Sequence, residues 1–161
     1  MENSAQLAKR FRAVILDGKL IANTNYKEQL STINWRQATR QISTLNTLAA
    51  LTFHINYYIE GINDFFENGE LKIRDKFSFD APEIISEEIW EALLNRLLTN
   101  AETFANHIEN LSDEQLNTSF VKEDYGTYRK NIEMMIEHCY YHLGQVSLIK
   151  KMVLEEFSVN Y

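Results

Sequence analysis

One proline and five glycines in 161 residues leave this sequence almost without the two residue types that interrupt helices and punctuate β turns. That scarcity predicts long uninterrupted helices and therefore an all-α chain. No internal repeat and no linker rich in Gly, Ser or Pro divides it, so a single domain over residues 1–161 is expected. A hydrophobic share of 45% against 24% charged residues is enough apolar material for a packed core.

Hydrophobic periodicity then predicts four long helices. The first runs from about Ser4 to Asn25, with Leu7, Phe11, Val14, Ile15 and Ile21 on one face. From Tyr26 to Ile42 only short helical turns around Leu30, Ile33, Trp35 and Ala38 are expected. The second helix starts near Thr44 or Asn46, either of which can cap it, and stops at Gly69. Glu70 to Ile85 reads as a connection crossing the bundle. Ser86 opens the third helix, with Glu87 and Glu88 suited to its first turn and its end near Leu111. A polar stretch ends at Gly126, and Thr127 caps a fourth helix that continues to about Glu156. Two of the three connections are long, which suits a four-helix bundle with crossovers better than a minimal up-down array.

Charge narrows the function classes. With 16 basic and 23 acidic residues the formal net charge is -7, the wrong sign for a phosphate-binding surface, so no nucleic-acid partner is expected. Lys150 and Lys151 are read as cations suited to a helix end. No stretch approaches the length of a spanning helix and no export signal is visible, so no membrane association is expected. A single cysteine, Cys139, rules out an intrachain disulfide, and the cytoplasm is the expected compartment.

The residues that carry chemistry are histidines. His138 and His142 are four apart in HCYYH, so on a helix they lie one above the other on one face and can converge on one ion. His54 lies in LAALTFHINYY, an apolar helix on which a lone histidine is more often a core residue with its polar atoms satisfied. Three imidazoles on two apolar helices all need partners, and a shared metal meets that need for His54, His138 and His142 together. Three imidazoles leave a position open for water or substrate, as catalytic sites do. They suit zinc, nickel, copper and iron, with zinc or nickel expected.

The segments LNTLAALTFHINYY and IEHCYYHLGQVSLIKK together resemble the two signature segments of the DinB-like superfamily of metal-binding four-helix proteins, and the likeness extends over almost the whole chain. The resemblance implies a four-helix bundle of up-down-down-up topology, one divalent metal ion on His54, His138 and His142, and a homodimer. It also implies a metal-dependent enzyme acting on a small-molecule substrate. Characterised members include thiol S-transferases and a thiol-dependent maleylpyruvate isomerase. The expected chemistry is therefore S-transfer, isomerisation or hydrolysis, with a low-molecular-weight thiol or water activated by the metal. The competing expectation is a non-catalytic dimeric helical module holding a structural ion.

Other residues are weighed by spacing. Gln145, three after His142, is a candidate to reach the pocket, and Tyr58 and Tyr141 could orient an imidazole or touch a substrate. Met135 could line the approach, although core filling is the plainer duty for both Met134 and Met135. Glu137 is expected to point elsewhere. Cys139 projects about 100° from His138 and is read as a small core residue. His107 has no partner at ligand spacing and is read as a surface or capping residue. No general base and no di-metal carboxylate set can be assigned.

Overall fold

A computed structural model describes residues 2–159. Among these the chain is all-helical, with no strand and a lone antiparallel bridge between Ser119 and Thr127. Its α-helices are α1 (Ser4–Ile15), α2 (Tyr26–Leu30), α3 (Trp35–Ala38), α4 (Leu48–Asn68), α5 (Glu87–Glu109), α6 (Asp113–Leu116) and α7 (Tyr128–Val159). The long helices pack on one another: α5 lies against α1 and α4, and α7 also lies against α1 and α4. No helix of the described residues is long and apolar enough to cross a membrane.

Local capping chemistry explains several boundaries. Ser86 accepts from the Ile89 amide to start α5, and Thr127 accepts from the Lys130 amide to start α7. Gly69 ends α4 in the left-handed region at φ 76°, where a side chain would be strained. The cap of α4 is Thr47, whose hydroxyl accepts from the Ala50 amide, rather than Thr44 or Asn46.

The first helix is shorter than its periodicity suggests. It stops at Ile15, and Ile21 is 73% exposed instead of facing the core. Gly18 and Lys19 fall where the next apolar pair would be needed, so burial no longer favours continuing the helix. The chain turns back instead, and Asn25 holds that turn by donating to the Gly18 carbonyl and accepting from the Glu28 amide.

The segment expected to form short turns does so as α2 and α3, and both are tied to the long helices. The buried Tyr26 hydroxyl donates to the Cys139 carbonyl at 2.8 Å, and the Trp90 indole donates to the Ile33 carbonyl at 2.7 Å. Lys150 is not a helix-end cation. It lies within α7 and donates to the Gln29 carbonyl and the Thr32 hydroxyl, fastening α2 to α7.

On α4 the fully buried Leu48, Leu51, Ile55 and Ile59 recur at helical spacing and anchor it in the core. Residues 70–85 then cross this helix closely. At Gly61 an added Cβ would lie 1.9 Å from Cγ2 of Ile73, so only glycine admits the segment at that distance.

Candidate metal centre

Core packing of α4 against α7 brings His54 opposite His138 and His142. One ring nitrogen from each lies within 4.8 Å of the others, so the three could hold a metal ion. His54 and His142 are 6% and 7% exposed, and His138 is half-buried. Nε2 of His54 and Nε2 of His138 are 3.2 Å apart. Two tetrahedral ligands at 2.0–2.1 Å from one ion would stand about 3.3–3.4 Å apart, so this pair already has nearly the required spacing.

Two of the rings are oriented from behind. Nδ1 of His54 donates to the Ser78 carbonyl at 3.2 Å, and Nδ1 of His142 donates to Oε1 of Gln145 at 2.7 Å. Each contact puts the proton of a neutral imidazole on Nδ1 and leaves the Nε2 lone pair free to ligate. A lone pair on the His138 Nε2 would face that of His54, and two lone pairs at 3.2 Å repel unless a proton or cation lies between them. A shared cation satisfies all three rings, so the donor set fits a divalent metal.

Electrostatics favour the ligating form. Burial, and secondarily the nearby His142, lowers the pKa of His54 to about 4; burial, with His142 and His54 close by, lowers that of His138 to about 4. Burial also lowers that of His142, although its bond to Gln145 opposes the shift. All three are therefore neutral at pH 7, as metal ligation requires.

Rings enclose the donors. Phe79 stacks on His54 with centroids 4.1 Å apart, and Tyr58 stands edge-on to both His54 and His138. The Tyr58 hydroxyl donates to Oδ1 of Asp75 at 2.9 Å. Beside His138 a cavity of about 380 Å³ opens, with Ile62, Leu71, Ile73, Phe120, Met134 and Met135 forming its apolar wall. That volume falls within the usual range for small-molecule sites.

Most of the residues singled out in the sequence gather here. Gln145 touches His142, Tyr58 touches two of the rings, and the buried Met135 lies in the cavity wall. Tyr141 lies edge-on to His142 but is 65% exposed and outside the cavity wall. Met134 is no core filler: it is more than half exposed and lines the cavity. Glu137 faces solvent.

Cys139 is fully buried in the core, and burial pushes its thiol well above the ordinary range, so it is no nucleophile. His107 is neither a surface nor a capping residue. It is half-buried and lies flat on Phe66.

Sequence reasoning missed Ser78, Phe79 and Asp75, all in the crossing segment. The visible hint is a pair of aromatics, Phe77 and Phe79, inside an otherwise polar connection. Without a helical period, nothing local says which of them stacks on a histidine. Comparison of the chain with protein-family models, curated proteins and solved structures gives no match.

Proposed function

We propose that the four long helices form a DinB-like bundle of up-down-down-up topology and that His54, His138 and His142 hold one divalent ion, zinc or nickel, in a metal-dependent enzyme. The observation that carries this reading is the convergence of three neutral imidazoles, two of them oriented through Nδ1, beside a cavity that reaches His138. An ion bound there would lower the pKa of water or a low-molecular-weight thiol and make it nucleophilic at neutral pH.

The chain's own residues have separable duties in this reading. Ser78 and Gln145 orient two ligands, Met135 and Ile62 exclude water from one side of the pocket, and Tyr58 holds Asp75 at its edge. The reaction is S-transfer, isomerisation or hydrolysis of a small molecule, carried out by a cytoplasmic homodimer.

A second reading keeps the ion and drops the catalysis: a dimeric helical module in which the metal ties α4 to α7. The burial of His54 and His142 favours it. Cobalt substitution separates the two. Both expect about one metal per chain from a three-histidine site. The enzyme expects a thiolate-to-cobalt absorption band when a small thiol is added, because an open position accepts it. No metal uptake would overturn both readings, and uptake with no spectral response to any thiol or small anion would leave the structural ion.

A further inference from the structure

The cavity beside His138 has a charge character of its own. Its wall holds Asp75 and the rings of Tyr58, Phe120 and Tyr125, and it includes no lysine or arginine. Among the described residues Asp75 joins no ion pair, and its carboxylate accepts from the Tyr58 hydroxyl. Lys122 lies over the Tyr125 ring at 4.7 Å and pairs with Asp124 at 3.8 Å, and neither it nor Lys72, Arg74 and Lys76, which adjoin wall residues in the chain, lines the cavity.

Beside Asp75 an anionic group would lose hydration, meet a carboxylate and gain no lysine or arginine partner from the wall; an ion held on His138 would draw it to that part of the wall instead. A protonated nitrogen would gain that carboxylate and the negative faces of aromatic rings. Of the remaining wall, Ile62, Leu71, Ile73 and the two methionines accept an apolar body, beside the polar Asn131 and His138. The chain's net charge of -7 draws cations toward the protein in the same sense.

We propose that this cavity selects a small apolar molecule bearing a protonated nitrogen, with Asp75 as its counter-ion, over the same apolar body without that charge. The proposal names the substrate class for the site described above and rests on the cavity being where that substrate binds. Asp75 acts here as a specificity residue, at the exposed mouth of the cavity.

Two probes sharing one apolar body test it, phenethylamine and phenethyl alcohol, each titrated into the intact protein as isolated. Binding is followed by NMR of the methionine methyl groups, because Met134 and Met135 both line the cavity. Metal content is measured on the same samples. The expected result is a shift of the Met134 and Met135 signals by phenethylamine at concentrations about tenfold lower than by phenethyl alcohol, from one exposed ion pair and one cation–π contact.

In Asp75→Asn the amine should lose the ion-pair share of its preference over the alcohol and keep only the share due to the aromatic faces. Alcohol binding and metal content should not change. Phenethyl alcohol binding as tightly as the amine, an amine preference undiminished in Asp75→Asn, or methionine signals indifferent to both probes would each overturn the proposal. Protein that takes up no metal and still shows the amine preference would sink the metalloenzyme reading and leave this one standing.

Discussion

Two histidines of this protein lie flat on a phenylalanine ring. His54 stacks on Phe79 with centroids 4.1 Å apart and 14° between planes; His107 stacks on Phe66 at 5.0 Å and 3°. The stacks are alike and their surroundings are not. His54 has a carbonyl on one nitrogen and a second imidazole facing the other. Nε2 of His107 is buried without a hydrogen bond, with only Glu67 at 3.8 Å. Beside His54, α7 presents two more histidines; toward the other end of α4, Phe65 and Phe66 meet Phe120 and Tyr128. Stacking orients a ring, whereas a second helix bearing donors at the same level is what turns a histidine into a candidate ligand.

The largest expected effect comes from breaking the convergence itself. His138→Ala or His54→Ala should weaken metal affinity by more than about 100-fold, beyond what loss of an orienting contact costs. His107→Ala should leave metal content unchanged. Elemental analysis after dialysis reads both, and equal losses at His107 and His138 would erase the distinction between the two stacks.

Next comes the segment that brings Ser78 and Phe79 to His54. In Gly61→Ala the new methyl would overlap Ile73, and relieving it should cost about 1–3 kcal/mol. Moving the segment should also weaken metal binding by about tenfold through the lost Ser78 contact. Gly144→Ala is the matched control, with nothing within 4 Å of the added Cβ, and should gain up to about 1 kcal/mol in helix stability. Urea unfolding of the two variants measures the contrast; equal stability would mean that the crossing segment is not held against α4.

Acid should sharpen the comparison further. In metal-free protein His54 and His138 titrate at about 4 when folded, lowered mainly by burial, and at about 6.5 when unfolded. Between those values the unfolded chain binds protons that the native chain does not, so stability falls as pH drops through that window and is fully present above it. The urea midpoint should therefore decline from pH 7 toward pH 4, and the double change His54→Gln with His138→Gln should flatten that decline. An unchanged slope would assign the acid sensitivity to other groups.

His107→Leu should have the smallest effect, less than about 1 kcal/mol, because a ring stack is lost while an unsatisfied nitrogen is removed. Thermal unfolding tests this, and a loss above about 2 kcal/mol would show that His107 has a strong polar partner.

Much of the helix layout was legible because capping and amphipathic periodicity act within a few residues. Ser86, Thr127 and Gly69 mark real helix ends, and Leu48 through Ile59 repeat with the helical period. The overlong first helix and the misplaced start of α4 are also local in origin. Ile21 has the spacing of a core residue but nothing to pack against, and several hydroxyl and amide side chains near residue 46 can each serve as a cap.

By itself the sequence determined that the chain is helical and that His138 and His142 share a helix face, since both follow from spacing along one chain. Tertiary structure decided that His54 stands opposite that face, that the Ser78 carbonyl and Gln145 hold two rings in place, and that a cavity bearing Asp75 opens at His138. Those are relations between segments remote in sequence, carried in part by a crossing segment with no helical period, and only packing α4 against α7 and seating Ile73 on Gly61 brings them into register.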